Sequence, residues 1–392
     1  MASKHVIKQD STTTFEIKQD DSTWILKAGV VVDVADGFGF SVLPAAKDTR
    51  LVIAGQIGDT NSTMWDGIIN RGKDTRVEIA NSGSVEGKYR GMTSLGDNFE
   101  VINQGTITGS AAGLDLDGKN YLVRNSGLIT TSDLMDGDAI LLDSGFSSGK
   151  IINEEGGTIE GIFNAINGGP VTFINRGTIA DVASKSIEVY LGYGDDRFVN
   201  RGTLDGAAFL GEGNDVADLR NGSTTSIVSG GLGNDTYIVN QNDGQAYEYA
   251  GQGIDTLKTS VSFTATQAGE MEKFVAIGKA NITIVANDLD NSVTGNRGKN
   301  LLDGGAGDDI LRGGKGIDTF DFGTGGDSDR IMDFQNGVDR IDVSGWNTID
   351  DFADIQAIVT VSGDDLVLTL GNDDITIKDM KMSELNAGDF IF

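Results

Sequence analysis

Apolar residues in this chain never run long. They alternate with polar ones over three or four positions, break at an Asn or a Gly, and start again. IANSGSVEG (79–87), VINQGTITG (101–109), VRNSGLITT (123–131), IINEEGGTIEG (151–161), FINRGTIAD (173–181) and FVNRGTLDG (198–206) share one plan. Their Asn residues, 81, 103, 125, 153, 175 and 200, follow at steps of 22, 22, 28, 22 and 25. Period-two alternation over so few residues predicts short strands joined by tight turns. One such coil cannot cover its own apolar side, so successive coils must stack. The expected fold is all-β, a right-handed parallel β-helix, with the Asn side chains hydrogen-bonded along the stack as a ladder. The 28-residue step contains TTSDLMDGDAILLDSGFSSGK, which reads as an enlarged loop.

From about residue 191 the turns change character. GYGDDRFVN (192–200), GEGNDVADL (211–219), GGLGNDTYI (230–238) and GQGIDTLKT (251–259) place Asp196, Asp215, Asp235 and Asp255 after glycine-rich turns, 19, 20 and 20 residues apart. The glycine turns lapse over 256–292. Then KNLLDGGAGDDILRGGKGIDTFDFGTGGD spaces Asn300, Asp309, Asp318 and Asp327 by nine. A nonapeptide G-G-x-G-x-D-x-U-x, with U a large apolar residue, is the pattern of a calcium-filled parallel β-roll. Gly304, Gly305, Gly307, Gly313, Gly314 and Gly316 allow tight turns that bring backbone carbonyls near an ion. Asp adds hard anionic oxygen, and calcium takes six to eight oxygens. Leu311 and Phe320 occupy U and are expected in the core. Two nonapeptides make one rung, which predicts Asp309 over Asp327 and Asn300 over Asp318. The residue before each ligand, such as Asn214, Asn234 or Asp308, is expected to face water. Asn300 supplies a neutral donor, and Asp329 stands where an apolar residue belongs.

Composition agrees. There are 56 Gly and 2 Pro in 392 residues, which favours turns, and no Cys, which removes disulfides and thiolate metal sites. The formal charge of −29 should repel nucleic acid and anionic membranes, and the chain itself unless cations neutralise it. The opening MASKHVIKQDSTTTFEIKQDD has no apolar core of a secretory signal peptide. No apolar run is long enough to span a membrane.

DGGAGDDILRGGKGIDTF (303–320) followed by DRIMDFQNGVDRIDVSG (329–345) resembles the RTX (repeats-in-toxin, hemolysin-type) calcium-binding family, including the C-terminal segments of serralysin-like proteases and the repeat modules of mannuronan epimerases. The N-terminal half resembles the Asn-Gly-Thr-Ile β-helices that some such proteins place ahead of the array. The resemblance implies secretion to the extracellular space or cell surface by a type I machine that reads an uncleaved C-terminal signal. It also implies folding on calcium outside the cell, where such modules bind at about 10⁻⁴ to 10⁻³ M. The acidic tail ending in Asp389, Phe390, Ile391 and Phe392 fits such a signal and also a cap on the roll. The resulting division is 1–190, a parallel β-helix whose first 40 residues, with Trp24 and Phe38, cap it; 191–345, calcium-binding repeats interrupted at about 256–292; and 346–392, cap and secretion signal. An uncapped end would invite self-association.

Catalysis finds little support. The one histidine, His5, lies in a polar terminus, which excludes Ser-His and Cys-His systems and common zinc sites. Asp115, Asp117, Asp133, Asp136, Asp138 and Asp143, with Tyr121, Arg124 and Lys150, crowd one region where paired carboxylates or a Tyr or Lys base could process a polysaccharide. Trp65, Tyr89 and Tyr121 could stack on sugars or pack at edges. The reading reached is a calcium-binding structural, adhesive or matrix-associated protein that contacts polysaccharide or a cell surface, with a polysaccharide lyase, hydrolase or epimerase as the alternative.

Overall fold

A computed structural model describes residues 3–58, 65–133, 137–142, 148–165, 169–180, 187–241, 245–265, 269–325 and 327–392, with 187 and 188 by backbone only. The chain forms two compact units, 1–232 and 233–392, and each is a parallel β-solenoid.

In the first unit each coil contributes one strand to each of three faces. A representative coil runs Glu100–Asn103, Thr106–Gly109 and Ala112–Leu116. The second face is a nine-stranded sheet and the third a ten-stranded one, with parallel neighbours one coil apart. In register, Val101 lies between Val77 and Val123, and Ile107 between Val85 and Ile129. The stack therefore carries three apolar columns. Leu51, Val77, Val101, Val123, Ile151, Phe173 and Phe198 form the first, all fully buried. Ile57 to Leu204 form the second, and Phe40 to Val228 the third. Each short strand hides only a few residues in a narrow core shared along the stack, and that is why a chain with 38% hydrophobic residues suffices.

The Asn ladder is present, and it begins one coil later than the repeat suggests. Asn103 Nδ2 donates to Asn125 Oδ1 (2.8 Å), Asn125 to Asn153, Asn153 to Asn175 and Asn175 to Asn200 (2.9 Å each). Each Nδ2 also donates to a carbonyl in the next coil, from Leu128 through Thr158, Thr178 and Thr203 to Ser223. Asn81 is not a member. It is exposed, and the residue in register with Asn103 is Ile79. The turn 80–83 is longer than its counterpart 104–105, and the extra length moves Asn81 out of the column.

The start of the chain is part of the same stack. Ser3–Ile7 and Phe15–Ile17 form a rung of their own, paired in parallel with Ser22–Leu26 and Phe38–Val42. His5 stacks on Trp24 with ring centroids 4.2 Å apart.

The second unit keeps two faces. One holds Thr236–Val239, Thr256–Thr259, Lys273–Ala276, Ser292–Thr294, Ile310–Arg312 and Ser328–Ile331. The other is a six-stranded sheet that includes Thr283–Val285, Leu301–Asp303, Thr319–Asp321 and Arg340–Asp342. Leu302 pairs with Ile284 and Phe320, one 18-residue rung away on either side. Leu311 and Phe320 are fully buried, as the position U requires. Among the described residues of 256–292, parallel pairing continues through Thr256–Thr259, Lys273–Ala276 and Thr283–Val285. The helix Phe352–Ile358 and the antiparallel strands Val359–Ser362, Asp365–Leu370 and Asp373–Ile377 close this unit, with Phe390–Ile391 as a last parallel strand beside Arg340–Asp342. No helix among the described residues is long and apolar enough to cross a membrane.

Candidate metal centres

The acidic turns are built by one repeated hydrogen bond. In the first unit the Val171 amide donates to Asp196 Oδ1 (2.6 Å), and the Asp196 amide donates to Asp215 Oδ1 (2.7 Å). In the second unit the Asp235 amide donates to Asp255 Oδ1 (2.7 Å), Asn291 to Asp309 (2.7 Å) and Asn300 to Asp318 (2.8 Å). One carboxylate oxygen thus ties each rung to the previous one. The other oxygen, Oδ2, is buried and accepts no hydrogen bond in Asp196, Asp255, Asp309 and Asp318. An ionised oxygen stranded in this way costs several kcal/mol unless a cation meets it.

The electrostatics record the same deficit. Burial pushes Asp196 and Asp309 up to about 8, Asp215 to about 7, and Asp255 and Asp318 to about 6. Neighbouring carboxylates add to the effect, and for Asp309 these are Asp329, Asp290 and Asp327. All the donors are oxygens, which suits a hard cation such as calcium.

The glycines shape the cradle. Gly305 and Gly307 take φ of +93° and +103°, and Gly314 and Gly316 take +86° and +144°. Gly304 serves a different end, because a Cβ there would collide with Asp309 Oδ2, and a Cβ on Gly313 would likewise come within 2.7 Å of Asp318 Oδ2. In these two turns the carboxylate folds back over its own glycine, as a ligand shared with backbone carbonyls must.

The stacking partner of Asp309 departs from the nine-residue count. Its amide donates to Asp329 Oδ1 (3.0 Å), and Asp327 lies beside Asp329 with its carboxylate over Gly325. Asn300 stacks on Asp318 as expected, and the Asp318 amide continues to Asp339 Oδ1 (2.9 Å). Asp329 and Asp339 are members of these columns that spacing alone missed. The G-V-D of QNGVD was the available signal for Asp339, hidden by its 21-residue step. Asn214, Asn234 and Asp308 are exposed, yet each makes a bond between neighbouring rungs of its own unit: the Asn214 amide donates to Asp195 Oδ1 (2.8 Å), Asn234 Oδ1 accepts from the Ile254 amide (2.8 Å), and Asp308 Oδ1 accepts from the Ser328 amide (2.8 Å). A cleft of the second unit is lined by Asp303, Asp321, Asp327, Asp329, Asp373 and Trp346. Asp303, Asp321 and Asp342 stand in register on neighbouring strands.

Among the described residues, several groups considered for catalysis are buried or engaged in ion pairs. Asp115 is buried in an ion pair with Arg90 (2.6 Å), and Arg124 is engaged by Glu154 (3.0 Å). Tyr121 is 2% exposed, and burial raises its phenol far above the ordinary range. Asp133 and Lys150 are exposed and Asp117 and Asp138 half-buried, while Asp136 and Asp143 lie outside the described residues.

Residues 285–320 match the family model of the RTX calcium-binding nonapeptide repeat, in four copies. The match covers the turns that carry Asn300, Asp309 and Asp318. No curated protein matches the chain.

Proposed function

We propose, from the premise that this chain carries RTX calcium-binding repeats, that it is a secreted structural or adhesive protein, matrix-associated or held at a cell surface, whose second unit folds when calcium binds outside the cell. The observation that carries this reading is the buried, unbonded Oδ2 repeated at Asp196, Asp255, Asp309 and Asp318. A stack of such oxygens is self-repelling without cations and cohesive with them. Occupancy at a hundredfold excess over Kd contributes about 2.7 kcal/mol per site to the folded state. Scarce calcium inside the cell would then keep the chain loose enough for a type I machine to export, with the acidic tail as its address. Asp196, Asp215, Asp235, Asp255, Asn300, Asp309, Asp318 and Asp327 are the proposed side-chain ligands, with carbonyls of the glycine turns beside them.

An adhesive role is supported by Trp65 and Tyr89, exposed on consecutive coils, where the Trp65 carbonyl accepts from the Tyr89 amide (2.9 Å). Lys88 lies over the Tyr89 ring at 5.6 Å. Flat aromatics with a cation beside them suit an extracellular polysaccharide.

Calcium titration of chelator-treated protein, followed by circular dichroism and size exclusion, tests the proposal. The expected result is collapse of an expanded species to a compact β form. Unchanged shape and melting after chelation would refute it.

A further inference from the structure

Outside the matched repeats, three acidic side chains of the second unit meet in its interior. Asp235, Glu248 and Asp255 each place a carboxylate oxygen within 4.8 Å of the other two, and all three are buried. Two oxygens on one calcium ion, each at about 2.3 to 2.6 Å, can lie up to about 5 Å apart, so the spacing suits a shared ion. Glu248 comes from the segment Gln245–Tyr249, which has no glycine turn and no place in the nonapeptide pattern.

Its position is fixed from two sides. Its backbone bridges to Gly269, and its carbonyl accepts from the Glu270 amide (3.1 Å). The Tyr237 hydroxyl donates to Glu248 Oε1 and also reaches the Tyr247 carbonyl (3.3 Å). Asp255 supplies the observation that points to a ligand. Its Oδ1 is taken by the Asp235 amide, while Oδ2 is buried and accepts no hydrogen bond. The cation acting on Asp255 from within the protein is Lys273, which is exposed and opposed by Glu272.

We infer that Asp235, Glu248 and Asp255 form a calcium site of a second kind, in which Glu248, oriented by Tyr237, closes from the side a coordination shell that the repeats build from stacked turns. The all-oxygen, three-carboxylate donor set selects a hard divalent cation, with backbone carbonyls and water completing the shell. Tyr237 is a positioning residue. This inference rests on the calcium reading above and adds a ligand that the repeat pattern does not contain.

The test is calcium-binding stoichiometry of the full chain by titration calorimetry, with calcium alone as the probe, comparing wild type, Glu248→Gln and Asp309→Asn. The expected result is one ion fewer in Glu248→Gln with the remaining sites unchanged, and loss of a different ion in Asp309→Asn. Tyr237→Phe should keep the ion count but weaken one site by about tenfold, equivalent to about 1.4 kcal/mol. Equal stoichiometry and affinity in wild type and Glu248→Gln overturn the inference, while silence of Asp309→Asn as well overturns the calcium reading itself. Should Glu248→Gln fail to fold, crystals of the wild-type protein grown in calcium decide. An ion among the three carboxylates supports the site, and carboxylates without one overturn it.

Discussion

Replacing Asn153 by Ala tests whether the buried amide column holds the first unit together. Asn153 Nδ2 donates to Asn175 Oδ1 (2.9 Å), the Thr178 carbonyl (3.0 Å) and the Gly157 carbonyl (3.2 Å), and its Oδ1 accepts from Asn125 (2.9 Å). The substitution strips a donor from the buried Asn175 Oδ1 and from the part-buried Thr178 carbonyl, while the Gly157 carbonyl keeps the Thr178 amide (2.9 Å). Asn125 retains the Thr158 carbonyl (2.9 Å) and is only partly deprived. Each stranded buried acceptor costs about 1 to 3 kcal/mol, so two of them with partial relaxation imply about 3 to 4 kcal/mol. Asn81→Ala is the matched control. It carries the same residue in the same repeat motif but sits exposed and outside the column, so its cost should stay within about 0.5 kcal/mol. Urea denaturation followed by circular dichroism, with calcium saturating so that the second unit contributes no difference, measures both. If Asn153→Ala lands within about 0.5 kcal/mol of Asn81→Ala, the ladder is an ornament of the repeat and the reasoning fails.

Two further predictions concern the acidic turns. Asp309 and Asp196 are raised to about 8 from an ordinary value near 3.8, so the folded metal-free form holds protons that the unfolded chain releases. The contribution of these two groups to stability is therefore fully present below about pH 4 and is lost as pH rises through about 8, while calcium, which competes with those protons, should bind more tightly over the same window. Melting of the metal-free protein and calcium titrations at pH 5.5 and pH 8 check both signs, and flat profiles would refute them. Gly304→Ala should weaken calcium binding at the Asp309 turn by about tenfold or more, because the new Cβ displaces Asp309 Oδ2. Gly323→Ala, in the same cleft with open space around its Cβ, should leave calorimetric affinity unchanged.

Much of this molecule was legible in its residues because its order is local. Alternation over three or four positions marked the strands. The spacing of Asn103, Asn125, Asn153, Asn175 and Asn200 marked the coil, and glycine followed by Asp marked the acidic turns. Each signal is read from short motifs and their recurrence along the chain, and needs no knowledge of how the coils superpose.

What only the folded stack decided is which residue lies over which once coils differ in length. Ile79, and not Asn81, occupies the ladder column, and Asp329, and not Asp327, receives the amide of Asp309. Glu248 reaches Asp235 and Asp255 from a segment without any repeat. The physical reason is that register between coils is set by buried apolar columns such as Val77, Val101 and Val123, which must superpose to exclude water. Turns absorb inserted residues, and the polar side chains at their ends move with them. Counting along the chain locates a turn, but packing between coils determines which carboxylates come to lie together.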